Sequence, residues 1–536
     1  MELNRKSLEN SFWQQAGFEI PKFDMEQMLD KTYEAPVWVH FGAGNIFRGF
    51  IAALQQKLLE DGKAEKGIIA VAPNDNMIIE EIYKPSDNLT ILVHLLPDGT
   101  LEKKIIASVS ESLVGNTEVT ADWQRLSEIF CKSSLQLVSF TVTEKGYGLT
   151  DISGDFLTSV KEDIQNGPES PRSLAAKIAS LLYLRYRAGE LPIALVSMDN
   201  CSHNGDILKE SIKTMAAYWL KGGFVEEGYL YYIDNPEKVA FPCTMVDKIT
   251  PRPSEAVDKT LQELGIQGTK IICTAKNSYL SQFVNAEKPQ YLVVEDKFPN
   301  GRPPLEEAGV YFTDKATVDK VEKMKVTTCL NPLHTALAIF GCLLGYRLIA
   351  DEMKDKQLKR LVERMGYEEG MPVVVNPGII DPAGFIDEVL KQRLPNPFIP
   401  DTPQRIACDT SQKIPVRFGE TIKTYVNHST LDAGKLTFIP LVIAGWCRYL
   451  IGIDDSGDEM ELSPDPMLDE LRTYIQGVKL GSADTAGNCL RPLLSNERIF
   501  GLDLYQAGLG GKIEGFFCEM LEGRNAVRKV LEKYVI

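Results

Sequence analysis

The chain has 536 residues, of which 44% are hydrophobic and 25% charged, and its formal net charge at pH 7 is −16. That length exceeds one ordinary core and calls for two domains, and that composition excludes a disordered chain. The acidic balance excludes a broad nucleic-acid footprint, which needs a basic face to displace counterions, so any anionic ligand must be held by a local cluster of donors.

Residues 1–10 are polar and charged, with no apolar core of the kind a secretory signal carries. A helically patterned lead-in spans 2–33. The first clear strand is 37–41, followed by a helical pattern over 46–59 and a strand over 67–72. Short apolar runs at 91–95, 135–142, 193–197, 271–274 and 291–294 read as further strands. Helical patterns at 173–188 and 206–220 lie between the later ones, and this alternation predicts a parallel α/β sheet. After about Asp314 nearly every long segment reads as helix: 335–350, 355–365, 384–394, 436–450, 465–474 and 515–534. The expected organisation is an α/β domain over 1–314 and a mainly α-helical one over 315–536, with the cleft between them as the default ligand site.

The most apolar stretch, 436–453, contains Arg448 and is only marginally long enough to span a bilayer. It reads as a buried helix, and no membrane partner is expected. The ten cysteines are scattered without C-x-x-C spacing, which argues against a disulfide framework or a structural zinc. The cytoplasm is the expected compartment, and no metal is expected.

Residues 37–54 supply a strand, a Gly42-x-Gly44 turn and a helix. Gly42 allows a tight turn, and Gly44 lets the backbone approach a pyrophosphate at the positive end of the helix. Arg48 adds a guanidinium close to where a phosphate would lie. The third glycine of the common fingerprint falls at Phe47, so a glycine turn that binds no nucleotide stays open as an alternative. After the next strand, in APNDN (72–76), Asp75 either hydrogen-bonds the adenosine ribose and repels a 2′-phosphate, favouring NAD, or is a turn residue.

In the segment 321–341, Asn331 followed by Pro332 predicts an N-cap and first helical residue. Lys325 then lies on chain just ahead of the helix, and His334 in its first turn. Oxidising an alcohol by hydride transfer needs a base for the hydroxyl proton and donors for the oxygen. A partly buried lysine near other cations can be that base, and Asn331 and His334 can be the donors. Taken alone, the segment is more simply read as a cap, a packed core histidine and a solvated lysine.

Together these pieces resemble the long-chain polyol and hexuronate dehydrogenase family. The resemblance runs over roughly 38–450 and rests on HFGAGNIFRGF (40–50), VTEKGYG (142–148), MDNCSHNG (198–205), FPCTMVDKITP (241–251), VVEDKFPNGRP (293–303), the 325–334 segment and PFIPDTPQRIACDTSQKIP (397–415). It implies a Rossmann-type N-terminal domain with a mostly parallel sheet, a helical C-terminal domain, NAD as cofactor and no zinc. Asn45 and Ile46 fall in the cofactor loop with Gly42, Gly44 and Arg48, and Glu144, Lys145 and Gly146 in a second loop lining the cofactor. Asn200 matches an asparagine near substrate and nicotinamide. Lys325 matches the family's general acid/base, Asn331 and His334 its assistants, and Glu322 a carboxylate beside the proton path. Arg405 and Lys413 match a pair that contacts substrate.

The interval from Lys325 to Asn331 is one residue longer than the family's, which places Val326 at the expected position. We expect non-helical chain ahead of Pro332 to absorb the insertion, with Lys323 as the runner-up base. The resemblance implies interconversion of D-mannonate and D-fructuronate, with tagaturonate or a mannitol-type polyol as alternatives. A catalytically silent NAD-binding sensor is the alternative of another class. The implied partner is a small sugar acid or polyol, and the implied assembly a monomer or small homo-oligomer.

Overall fold

The computed structural model describes residues 1–151, 153–274 and 278–535. The chain divides into two compact units, Met1–Asp319 and Lys320–Ile536, a few residues past the composition change at Asp314.

The first unit is built on six strands: β1 (Trp38–Phe41), β2 (Ile68–Ala72), β3 (Val109–Val114), β4 (Leu137–Phe140), β5 (Ile193–Ser197) and β6 (Val239–Ala240). Their spatial order is β3-β2-β1-β4-β5-β6, and every neighbouring pair is parallel. The order reverses between β1 and β4, which makes their carboxyl ends the crevice of a doubly wound, Rossmann-type sheet. Every residue of β1, β2, β4 and β5 is buried, as expected of a parallel sheet covered on both faces, and most of these residues are apolar. Trp38 packs with Leu54 and Leu58 of the helix Ala52–Glu60 on one face. Val39 and Phe41 pack on the other face with the helices Thr120–Phe130 and Leu174–Arg187.

Three expected strands leave this sheet. Thr90–Leu95 pairs antiparallel with Leu101–Ile106, in a four-stranded sheet that also holds Phe18–Glu19 and Phe283–Ala286. The turn through Pro97, Asp98 and Gly99, with Gly99 at φ +89°, closes that hairpin, and such a short connection cannot join parallel strands. The lead-in 2–33 therefore contains a strand as well as helix. Tyr291–Glu295 pairs antiparallel with Thr244–Asp247 and parallel with Tyr311–Thr313. Among the described residues Ile272–Cys273 pairs only with Tyr279–Leu280.

The second unit is mainly helical. Its helix Phe438–Tyr449 is buried at every residue. Arg448 keeps its charge there by donating to the carbonyls of Ile453 (2.6 Å) and Asp454 (3.1 Å), and Glu369 accepts the N–H groups of Phe438 and Ile439, both at 2.8 Å, at the helix start. The helical run Lys315–Leu343 is also long and apolar enough to cross a membrane, but its apolar part is mostly buried within the protein. The expected helix 515–534 is two, Gly510–Met520 and Ala526–Tyr534. Gly523 (φ +146°) and Asn525 (φ +60°) take left-handed backbone between them, through which a helix cannot continue. The run 335–350 divides in the same way at Gly345, and the short helix Ile349–Glu352 follows. There the Glu352 carboxyl is fully buried with neither oxygen hydrogen-bonded, so close to Gly341 that a methyl group on that glycine would lie 2.2 Å from Oε1.

Candidate functional site

In the first unit the candidate cofactor residues follow the carboxyl ends of β1, β2, β4 and β5. Gly42 ends β1 at φ +114°, and a Cβ there would lie 2.1 Å from the Thr141 carbonyl oxygen beyond β4. Gly44 has open space where a Cβ would be. Gly42 is thus required by the protein's own packing, whereas Gly44 leaves room for a ligand to approach the backbone. His40, just before the turn, is held neutral: burial pushes it down to about 3, and its ring nitrogens bond the hydroxyls of Ser139 (2.6 Å) and Thr141 (2.8 Å).

Arg48 departs from expectation. Its side chain is fully buried, donating from Nη1 to the Ser281 carbonyl (2.7 Å) and from Nη2 to Asn45 Oδ1 (2.8 Å). A guanidinium so enclosed does not reach outward to a phosphate. It fixes Asn45, and with it the loop, from behind, while Asn45 and Ile46 are themselves only partly buried.

Asp75, in the loop after β2, is a turn residue and more. Its Oδ1 accepts the N–H of Met77 at 3.2 Å, while Oδ2 is enclosed and has no hydrogen-bond partner. An enclosed acceptor without a donor costs about 1–3 kcal/mol, which a hydroxyl-bearing ligand would recover.

The loop after β4 turns through Glu144–Tyr147. Glu144 and Lys145 are exposed, and a Cβ on Gly146 would lie 2.8 Å from Val142 Cγ2. The residue that organises this loop, Asp199, was missed in the sequence. Its carboxylate accepts from Val142 N (3.0 Å), Thr143 N (2.9 Å) and the Tyr147 hydroxyl (2.6 Å), holding Thr143 at φ +67°. Burial raises the Asp199 carboxyl above its usual range, against those three donors. Its one sequence signal was adjacency to Asn200, which is exposed just past β5.

In the second unit Glu322, Lys325, Asn331 and His334 share the helical run 315–343. Lys325 is buried, at 3% exposure. It opens a wide π-helical turn, Lys325–Cys329, closed by Leu330 N donating to the Lys325 carbonyl (3.1 Å). This corrects two expectations. The chain ahead of Pro332 is helical, and the extra residue is taken up in the wide turn. Nor is Asn331 the cap: it is the first residue of the helix Asn331–Leu343, and no side chain caps that start. The boundary position falls on Leu330, at φ −133° and ψ −63°, one residue before Asn331, which leaves the Asn331 amide out of the capping role. Lys323, by contrast, is exposed and pairs with Glu420 at 3.4 Å.

His334 Nε2 is enclosed without a hydrogen bond, 3.4 Å from Asp401 Oδ2. Burial pushes the ring down to about 4, so at neutral pH this contact is not an ion pair and the imidazole is a neutral donor. Asp401 pairs with Arg405. Lys413 donates to the Ile406 carbonyl (3.1 Å) and to that of Cys408, and its ammonium is shifted down by burial and by the charge of Arg417. Arg417 was not singled out in the sequence. It follows Lys413 by four residues on helical chain, the spacing that places two side chains on one face, and that was its available signal.

The two units thus define a dinucleotide-fold protein with a second, helical, cation-bearing unit. Residues 37–307 match the family described as the mannitol dehydrogenase Rossmann domain, and residues 317–515 the mannitol dehydrogenase C-terminal domain. The chain belongs to the mannitol dehydrogenase family. It is 54% identical to a D-mannonate oxidoreductase of Thermotoga maritima, an alignment spanning 100% of this chain and 99% of that one. It is 30% identical to a D-mannonate oxidoreductase of Escherichia coli over 90% and 93% of the two chains. Among solved structures it resembles Pseudomonas fluorescens mannitol 2-dehydrogenase in its ternary complex with NAD and D-mannitol, with TM-score 0.70, 26% identity and 99% of each chain covered.

Proposed function

We propose that this protein interconverts D-mannonate and D-fructuronate with NAD, the unit 1–314 holding the cofactor and the unit 315–536 the sugar acid. The observation that carries this reading is the full-length 54% identity to a D-mannonate oxidoreductase. NAD is supported by the open backbone at Gly44 and the unpartnered Asp75 oxygen, and by the NAD complex of the mannitol 2-dehydrogenase. The same reading makes it a cytoplasmic enzyme, a monomer or small homo-oligomer, with small molecules as its ligands.

Bound NAD supplies the hydride acceptor. The chain's own residues handle the proton and the oxygen. Lys325 accepts the hydroxyl proton at Nζ, and Glu322, one helical turn earlier, lies on its path onward. The Asn331 amide and the neutral His334 ring donate to the substrate oxygen, where negative charge develops when the reaction runs toward the alcohol. Gly42, Gly44, Asn45 and Ile46 shape the loop at the pyrophosphate, and Glu144, Lys145, Gly146 and Asn200 line the nicotinamide side. Arg405 and Lys413 contact the sugar acid.

The test is the ratio of kcat/KM for D-fructuronate over D-fructose, followed by NADH oxidation. A ratio well above one is expected, and a ratio at or below one replaces the uronate with a neutral polyol or ketose. A second measurement concerns the cofactor. The native enzyme is expected to prefer NAD over NADP, and Asp75→Ala to narrow that preference. Equal use of both by the native enzyme leaves Asp75 a turn residue only.

A further inference from the structure

Arg405, Lys413 and Arg417 of the second unit form a cation cluster, in which Arg405 and Arg417 both act on Lys413, and two of the three are already committed. Arg405 is largely exposed, and its guanidinium pairs with Asp401. Lys413 turns its ammonium onto two carbonyls of its own chain. Arg417 is different. Its Nη1 donates to Thr335 Oγ1 at 2.5 Å, and among the described residues no carboxylate lies within ion-pair distance of it. Thr335 in turn donates to the Asn331 carbonyl (3.0 Å), so this guanidinium is tied to the first turn of the helix that carries Asn331 and His334. Its charge is felt at both His334 and Lys413. Burial alone shifts Arg417 down, to about 10, and no acidic neighbour offsets it.

A partly buried guanidinium without a counter-ion is costly unless an anion joins it, and its planar fork of donors matches a carboxylate. We propose that Arg417 binds the carboxylate of the sugar acid and sets the preference for a uronate over a neutral ketose. This rests on the function proposed above. In an acidic protein, Arg417 is then the uncommitted positive charge that makes the anionic end of the substrate welcome, while Arg405, neutralised by Asp401, discriminates less.

The experiment compares the native enzyme with Arg417→Leu and Arg417→Lys on D-fructuronate and D-fructose. Charge-assisted hydrogen bonds of this kind set the expected loss: Arg417→Leu raises KM for fructuronate by roughly 10- to 150-fold. Its kcat is expected to change little, and its kcat/KM for fructose much less. Arg417→Lys keeps the charge without the fork and is expected to fall between. Equal losses on both substrates, or no loss on fructuronate, overturn the assignment. Should Arg417→Leu fail to fold, the split between KM and kcat in Arg417→Lys decides in the same way. A native enzyme inactive on fructuronate overturns the proposed function itself, an outcome distinct from a native enzyme whose substrate preference ignores Arg417.

Discussion

Lys325→Ala is expected to lower kcat by roughly 10²–10⁴-fold, the scale of general acid/base catalysis, while NADH affinity, followed by fluorescence titration, stays close to native. The buried position of Lys325 on the run that carries Asn331 and His334 underlies this expectation. Lys323 is the internal control. It is exposed and paired with Glu420 at 3.4 Å, and such surface pairs contribute about 0–1 kcal/mol, so Lys323→Ala is expected to retain most of the activity. The reverse pattern, loss with Lys323 and retention with Lys325, would mean that the wide turn aims the other lysine at the substrate.

The second large effect is on stability. Burial raises the Glu352 carboxyl from its usual 4.5 to about 9, with the nearby Asp355 charge adding to the shift, so at neutral pH it is protonated in the folded state. The unfolded chain would ionise it above about 4.5. A group whose folded value is raised contributes its full stability below the unfolded value and loses it as pH rises toward the folded one. Stability should therefore decline between about pH 4.5 and 9 by up to about 1.4 kcal/mol per pH unit from this group. By pH 7 the decline amounts to roughly 3 kcal/mol. Urea unfolding of native protein and Glu352→Gln between pH 5 and 8 separates this contribution from all others, because only the difference in slope is read. The variant is expected to lose the slope and to gain on the native protein as pH rises. Parallel profiles would sink the assignment.

The fold was largely readable because its strongest signals are local. Mostly apolar strands at 38–41, 68–72, 137–140 and 193–197 announce a buried parallel sheet, and the glycine turn after the first places a nucleotide loop. The hairpin around Gly99 was equally local, in Pro97-Asp98-Gly99, but short apolar runs drew attention away from the turn between them. Candidate site residues could be named from the sequence only as far as family spacing reached. What spacing could not supply was commitment: that Arg48 is spent on Asn45 and Ser281, that Asp401 neutralises Arg405, and that among the described residues Arg417 is left without an acid. Each depends on what the chain brings alongside from far away in sequence. The cap reading of Asn331 failed for a related reason, since Asn-Pro looks the same whether the chain enters from a loop or from another helix.

The wide turn at Lys325–Cys329 has a consequence for how such chains vary in length. A turn closed from residue i to i+5 holds one residue more than an ordinary helical turn, so a residue can be gained or lost there with both flanks keeping their rotation. Elsewhere in a buried helix the same change would swing every following side chain by about 100°. The interval from Lys325 to Asn331 and His334 is therefore a poor ruler for comparing this chain with a relative. The three-residue step from Asn331 to His334, inside regular helix, has no such slack, and it is the better measure.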